Sequence, residues 1–131
     1  MVAADQASKW LVRRGEVDLP FEIGWGFRLQ LVSNRGVSFG KLTDSGDLVL
    51  ILVAALAVAL ALGLLPGPPR YRLGLGVLLG GALGNLIDRI RFGAVVDFVD
   101  VPWWPTFNVA DAAIVAGVAL ILLQVFRAER A

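Results

Sequence analysis

Residues 48–65 read LVLILVAALAVALALGLL, a run of 18 residues without a charged side chain. As a helix this run would extend about 27 Å, close to the thickness of the hydrocarbon core of a bilayer. Two further apolar stretches follow at 73–87 and 109–126, and the first of them continues to residue 90 across two charged residues. We predict an α-helical membrane protein whose spanning helices lie at 48–65, 73–90 and 109–126.

The composition also favours a membrane protein. Hydrophobic residues make up 57% of the 131 residues, and 15 glycines come in addition. A soluble domain has about 45–50% apolar residues with glycine included. The alternative is three buried helices in a soluble core, but so short a chain lacks the polar residues to cover them. A net charge of +1 excludes a strongly basic nucleic-acid-binding protein.

The chain contains neither histidine nor cysteine. It therefore has no disulfide framework, no thiol nucleophile and none of the commonest metal ligand. Any chemistry must use carboxylates, hydroxyls, lysine, tyrosine or the backbone. We expect neither a metal ion nor another cofactor.

Basic residues indicate how the chain is oriented. The turn between the first two predicted spans contains Arg70 and Arg72 and no acidic residue, and Arg127 and Arg130 follow the third span. The positive-inside rule places these residues in the cytoplasm. The segment before the first span and the segment between the second and third spans are then expected outside.

The region 17–42 has a different pattern. Residues 27–31 alternate apolar and polar side chains, residues 33–36 form a turn signal, and the alternation resumes at 37–39. This pattern predicts a small β-sheet on the outer membrane surface. Residues 1–14 are too short for a complete span, and we predict that they form the end of a helix.

Polar residues cluster at the outer ends of the second and third predicted spans. Ionisable groups beside a span are candidates for function because they are costly there. Asn85, Asp88 and Arg89 share one helical face, and Asn108 and Asp111 stand three residues apart at the start of the third span.

These residues have structural explanations as well. Asp88 and Arg89 could form an ion pair that ends a helix at the membrane interface. Asn108 could cap the third helix, with Asp111 in its first turn. Neither explanation accounts for Asp97, a further carboxylate within an apolar run.

Asp97 and Asp111 are therefore the strongest candidates for a site. Two carboxylates in contact cannot both ionise cheaply, so one keeps a proton while the other can deprotonate water. The rival hypothesis is a small transporter or channel subunit that uses Asp88, Asp97 and Asp111 for ions. That rival predicts polar residues at mid-span on several helices, whereas these residues cluster near one interface.

Glycine gives a packing signal on the second predicted span. Gly76, Gly80 and Gly84 recur every four residues and predict a close approach of another helix along this stripe. The alternative is the ordinary enrichment of glycine in membrane helices.

Five blocks of sequence together resemble the lipoprotein signal peptidase (signal peptidase II) family of bacterial intramembrane aspartic proteases. The blocks are DQASK at 5–9, NRGVSF at 34–39, GGALGNLIDR at 80–89, GAVVDF at 93–98 and FNVAD at 107–111. They occur in the family's order over most of the chain. Each is a weak signal alone, and their combination is highly specific.

The resemblance implies an enzyme that cleaves the signal peptide of a prolipoprotein before its diacylglyceryl-modified cysteine. It assigns the catalytic roles to Asp97 and Asp111, the pair that the charge argument also favours, and leaves Asp88 as a structural partner of Arg89. Around the pair it places seven further residues: Asp5, Lys9, Asn34, Gly36, Asn85, Arg89 and Asn108.

The resemblance also implies surroundings and partners. Asn85 and Asn108 are expected to hydrogen-bond the carboxylates or the peptide backbone, Arg89 to hold the outer loop, and residues 34–36 to lie on a sheet over the substrate. The expected location is the bacterial cytoplasmic (inner) membrane, with the active site near the extracytoplasmic face. The expected partners are the lipid-modified prolipoprotein and the bilayer, without nucleic acid, and we expect a monomer. Since the family pattern has four spans, residues 1–14 are expected to be the end of a truncated first helix.

Overall fold

A computed structural model describes residues 1–16, 18–34 and 68–130. These residues form α1 (Val2–Arg13), β1 (Phe21–Gly24), β2 (Phe27–Asn34), α2 (Arg72–Phe92), β3 (Val95–Val101), β4 (Trp104–Phe107) and α3 (Val109–Glu129), with a 3-10 turn at Pro69–Tyr71 before α2. The predicted helix at 48–65 and the site residue Gly36 lie outside the described residues.

The two long helices, α2 and α3, cover the sequence of two predicted spans. Each has 21 residues, and both are long and apolar enough to cross a membrane. Val115, Leu122 and Phe126 of α3 are exposed, which is unlike the core helix of a soluble protein. The described chain thus has two apolar helices, while the total number of spanning helices stays a prediction.

The chain is turned sharply at both ends of the segment that joins α2 to α3. α2 ends where Gly93 adopts a left-handed φ of 68° and donates its N–H to the Arg89 carbonyl at 2.9 Å. α3 begins at Asn108, whose side chain accepts the Asp111 N–H in a capping box. The predicted N-cap role of Asn108 is confirmed.

Glycines allow α2 and α3 to pack with their backbones close together. A Cβ added at Gly74 would meet Ile121 and the Gly117 carbonyl, and one added at Gly117 would lie 2.6 Å from the Leu78 backbone nitrogen. The predicted stripe has no neighbour at Gly76 among the described residues, since none of them lies within 4 Å of a Cβ added there. Its other two members approach α1: a Cβ at Gly80 would meet Met1, and one at Gly84 would meet Asp5.

We expect Gly117→Ala to lower the free energy of unfolding by about 1–3 kcal/mol, because the new methyl group meets backbone atoms that cannot rotate away. Gly76→Ala is the matched control, since no described residue lies within 4 Å of a Cβ added there and the change gains about 1 kcal/mol in helix propensity. Thermal unfolding of both variants in detergent micelles checks the prediction. Equal unfolding temperatures for the two variants would contradict the packing described here.

The four strands form one antiparallel sheet in the order β1-β2-β3-β4. β2 pairs with β3 so that Val32 lies opposite Asp97 and Asn34 opposite Val95. The turn predicted at 33–36 is wrong for Ser33 and Asn34, since β2 extends through both. β3 and β4 were not predicted from the sequence.

The sheet packs against the end of α1. Val12 of α1 is buried together with Val96 and Phe98 of β3. This contact brings the polar residues of α1 beside β3, close to the start of α3. The helices and the sheet therefore meet where the candidate site residues lie.

Candidate active site

Asp97 lies on β3 and is buried, with 3% of its surface exposed. Its Oδ1 accepts a hydrogen bond from Asn108 Nδ2 at 2.8 Å, and its Oδ2 accepts one from Asn34 Nδ2 at 3.0 Å. β2 therefore supplies one partner of this carboxylate, and the residue before α3 supplies the other.

Asp111 lies in the first turn of α3 and is half-buried. Its Oδ1 accepts from Asn85 Nδ2 at 2.7 Å, and its Oδ2 accepts from the Asn108 backbone N–H at 3.1 Å. Asp111 is thus the capping-box residue of α3 and is also held by α2. The carboxylate is fixed from two elements at once.

Asn108 links the two carboxylates. Its side chain donates to Asp97 while its backbone N–H donates to Asp111, and none of its surface is exposed. The same Nδ2 also lies 3.1 Å from Asn85 Oδ1 and 3.2 Å from the Val96 carbonyl. The sequence offered helix capping and site support as alternatives for Asn108, and in the structure one side chain does both.

Lys9 is the buried cation beside this pair. Its Nζ lies 2.8 Å from Asp5 Oδ2, 2.9 Å from Asp88 Oδ2 and 3.1 Å from Asn85 Oδ1. An ammonium group has three N–H donors, and these three contacts occupy them. Lys9 is therefore surrounded by two carboxylates and an amide oxygen, which fix its position between α1 and α2.

Asp5 joins α1 to the start of α3. Its Oδ1 accepts the backbone N–H of Ala110 at 3.0 Å, one of the N–H groups at a helix start that has no partner within the helix. The positive end of the α3 dipole also favours a carboxylate at this position. Gly84 makes room for it, because a Cβ there would lie 2.5 Å from Asp5 Oδ2.

The predicted pairing of Asp88 with Arg89 is wrong. Asp88 is 1% exposed and binds Lys9, and it also accepts from Gln6 Nε2 at 2.9 Å and from the Val96 backbone N–H at 3.3 Å. Arg89 is half-buried and forms no ion pair with any residue of the described ranges. Through the hydrogen bond from the Val96 N–H, Asp88 therefore holds β3 one residue before Asp97. The expected role of Arg89 on the outer loop stays a prediction.

Gln6 is a site residue that the sequence reasoning missed. Its Nε2 contacts Asp88 Oδ1, Asp5 Oδ2 and the Gly84 carbonyl, at 2.9, 3.2 and 3.2 Å. Its position inside the DQASK block was the available signal. In all, the structure brings Asp5, Lys9, Asn34, Asn85 and Asn108 together around Asp97 and Asp111.

A comparison with models of protein families identifies the family of this chain. The sequence model of the family described as signal peptidase (SPase) II matches residues 1–127. The chain belongs to the signal peptidase II family. The resemblance seen in the sequence blocks is confirmed, and the chain is a peptidase.

Individual relatives extend this result. The chain is 46% identical over 130 residues to the lipoprotein signal peptidase of Moorella thermoacetica, covering 95% of this chain and 86% of that protein. It is 45% identical over 139 residues to the lipoprotein signal peptidase of Symbiobacterium thermophilum, covering 98% and 91%.

Two solved structures of bacterial membrane enzymes share the fold of this signal peptidase II family member. One, determined by the in meso method at 1.9 Å resolution, has a TM-score of 0.81 and 28% identity, covering 95% of this chain and 86% of that one. The other, at 2.3 Å resolution, has a TM-score of 0.79 and 27% identity, covering 96% and 82%.

The surroundings of Asp97 in this peptidase favour its protonated form. Burial raises the pKa of Asp97 above its ordinary value, and the nearby charge of Asp111 raises it further. The hydrogen bonds from Asn34 and Asn108 and the charge of Lys9 oppose the rise, but the net direction is upward. Two adjacent carboxyl groups interact when they titrate, and the charge of Asp111 is one cause of the upward direction at Asp97.

An apolar groove of about 460 Å³ opens beside Asp111 in the peptidase. Phe27 and Trp103 meet edge-to-face in its wall, with ring centroids 5.5 Å apart. Its lining consists of Phe27, Val101, Trp103, Trp104, Phe107, Asp111, Ala112, Val115 and Ala116. Among these described lining residues Asp111 is the one with a carboxyl group, and it lies at the junction of the sheet and α3.

Proposed function

We propose that this chain is an aspartic endopeptidase of the membrane that removes signal peptides from prolipoproteins by cleaving before the diacylglyceryl-modified cysteine. The observation that supports it best is the pair Asp97 and Asp111, which are joined through Asn108 at the end of an apolar groove. The names of the relatives, lipoprotein signal peptidases, indicate the substrate class.

The proposed chemistry uses one shared proton. We assign it to Asp97, whose pKa is raised by burial, and we assign the role of base to Asp111, whose oxygens accept two N–H donors. Asp111 takes a proton from a water molecule, whose oxygen attacks the scissile carbonyl carbon, while Asp97 donates its proton to the carbonyl oxygen. As the C–N bond breaks, Asp111 passes its proton to the leaving amine, and the hydroxyl of the intermediate returns a proton to Asp97.

The neighbouring polar residues keep this geometry fixed. Asn108 holds one oxygen of each carboxylate, and Asn85 holds the second oxygen of Asp111. Lys9 holds Asn85 in turn through its Oδ1. A network in which each buried donor and acceptor has a partner lowers the cost of orienting the reacting groups.

The groove is proposed to receive the acyl chains of the substrate. Its walls are aromatic and aliphatic, and Val115 and Ala116 continue it along the exposed apolar face of α3, where lipid would lie. The diacylglyceryl group is attached to the residue directly after the scissile bond. A lipid seated in the groove would therefore hold that bond near Asp111.

The proposed location is the bacterial inner membrane, with the site at its extracytoplasmic face. α2 and α3 run antiparallel, so Arg72 at the start of α2 and Arg127 near the end of α3 lie at the same end of the pair. The positive-inside rule favours the cytoplasm for that end. Asp97 and Asp111 lie at the opposite end.

We expect a bell-shaped dependence of turnover on pH, because activity needs one protonated and one ionised carboxyl group. Below the lower pKa of the pair both groups are protonated, and above the upper pKa both are ionised. Asn34→Ala removes a hydrogen bond that lowers the pKa of Asp97, so the alkaline limb should move to higher pH.

The matched control for this shift is Ser33→Ala, one residue earlier on β2 and exposed. Cleavage rates of a lipid-modified prolipoprotein across pH, for the two variants and the wild type, provide the measurement. A shift towards acid in Asn34→Ala, or the same shift in both variants, would refute the assigned role of Asp97.

The function itself is tested with the full chain in phospholipid vesicles and one prolipoprotein prepared with and without its diacylglyceryl group. We expect cleavage of the lipid-modified form before the cysteine, and much slower cleavage of the unmodified form. No cleavage of the modified form by an inserted, folded chain would refute the proposal.

A further inference from the structure

A second cleft, of about 430 Å³, opens between the C-terminal ends of α1 and α2. It shares no lining residue with the groove beside Asp111. Buried residues of the Lys9 network form part of its wall. Apart from Ala7, the other described lining residues are aromatic or basic, and the described lining is Gln6, Ala7, Lys9, Trp10, Arg13, Arg14, Asp88, Arg91 and Phe92.

The cleft has an excess of positive charge. The described lining carries four cations, on Lys9, Arg13, Arg14 and Arg91, and one carboxylate, Asp88, which lies 2.9 Å from Lys9 Nζ. Within the described ranges, Arg13, Arg14 and Arg91 form no ion pair with any acidic residue. Three cations around one cleft repel one another, and no carboxylate of the described chain offsets that repulsion.

Aromatic rings hold these cations at the cleft. The Arg13 guanidinium carbon lies 3.5 Å from the centre of the Phe92 ring, and that of Arg91 lies 5.1 Å from the same centre. The Arg14 guanidinium lies 4.5 Å from the Trp10 ring centre. These stacking contacts orient planar donor groups without consuming their N–H donors.

We propose that this cleft binds the phosphate group of an anionic ligand, and that the headgroup of an anionic phospholipid is its source. Guanidinium groups bind phosphate oxygens through paired N–H donors. Trp10 and Phe92 line the cleft and are each 49% exposed, so apolar surface adjoins its basic groups. A free phosphate would use only the basic part, whereas a phospholipid would use both.

The competing explanation is the dipole of each helix, which favours cations in its last turn. Arg13 and Arg91 occupy the last turns of α1 and α2. That explanation accounts for the positions of two arginines but predicts no ligand. Binding of an anionic lipid therefore separates the two explanations.

The test is native mass spectrometry of the full chain in mild detergent with equal amounts of phosphatidylglycerol and phosphatidylcholine of matched acyl chains. For the wild type we expect about tenfold more bound phosphatidylglycerol than phosphatidylcholine. For the triple variant Arg13→Gln, Arg14→Gln, Arg91→Gln we expect the two lipids to bind in nearly equal amounts. The matched control removes three cations from the other end of the helix pair: Arg70→Gln, Arg127→Gln and Arg130→Gln.

The controls decide between the remaining outcomes. Displacement of the phosphatidylglycerol by millimolar inorganic phosphate would assign the site to free phosphate, and retention assigns it to the lipid. No lipid preference in the wild type, or an equal loss in both triple variants, would overturn the proposal. Should the first triple variant unfold, the single variants Arg13→Gln and Arg91→Gln each give a partial loss. The readout is lipid retention, so it is independent of whether the proposed cleavage occurs.

Discussion

Asp97→Asn and Asp111→Asn should each lower turnover of a lipid-modified prolipoprotein by about 100- to 10,000-fold, the range for loss of general acid or base catalysis. An amide at position 111 cannot take a proton from water, and an amide at position 97 cannot supply one to the carbonyl oxygen. Both variants keep the size and shape of the side chain. The measurement is the rate of signal-peptide release by mass spectrometry at saturating substrate.

Asp100→Asn is the matched control on the same strand. Asp100 lies three residues after Asp97 on β3 and pairs with the largely exposed Arg28 rather than with the network around Asp111. We expect it to retain wild-type turnover and unfolding temperature. If either catalytic variant were as active as Asp100→Asn while remaining inserted and folded, the proposed dyad would be wrong.

Lys9→Met should destabilise the fold by about 3–5 kcal/mol, the cost of leaving buried charges without their partner. Lys9 is 2% exposed and is the cation that lies between Asp5 and Asp88, which are each 1% exposed. Methionine fills a similar volume but leaves both carboxylates uncompensated. Thermal unfolding in detergent micelles provides the measurement, with residual cleavage as a second readout.

Arg28→Met removes a cation from an exposed ion pair and is the control for Lys9→Met. The Arg28 side chain is 52% exposed, so solvent already screens its charge from Asp100. Its unfolding temperature should stay close to that of the wild type. A similar loss of stability in both variants would mean that the buried network is not what holds α1 to α2 and α3.

The sequence singled out Asp97 and Asp111 because both carboxyl groups stand among apolar neighbours in a chain without histidine or cysteine. The resemblance to the family, and not the residue pattern, named Asp5, Lys9 and Asn34, which the structure places around them. Asn108 was also recognisable, because an asparagine three residues before an aspartate is a common helix start.

Strand β3 was missed for a physical reason. Val95, Val96, Asp97 and Phe98 are all buried, so the two faces of the strand are not distinguished by polarity. Apolar and polar side chains alternate at residues 27–31, which indicated a strand there, and this alternation is absent from residues 95–98. Its pairing with β2 joins residues that lie far apart in the sequence, from Asn34 with Val95 to Arg28 with Asp100.

The pairing of Asp88 could not be read from spacing either. Neighbouring residues on a helix point in different directions, so Asp88 and Arg89 do not face each other. The true partner, Lys9, lies 79 positions away and was brought close by helix packing. The neighbours of the glycine stripe were missed for a similar reason, since recurrence every four residues gives a helix face but does not show that Gly80 and Gly84 meet α1.

Hydrolysis in water enriched in oxygen-18 tests the central claim, direct attack by a water molecule that the dyad activates. A single turnover of lipid-modified prolipoprotein is followed by mass spectrometry of the released signal peptide and of the enzyme. We expect one heavy oxygen in the new carboxyl group of the signal peptide and no covalent adduct on the enzyme at any time. An acyl-enzyme adduct, or undiminished release by the Asp97→Asn, Asp111→Asn double variant, would contradict it.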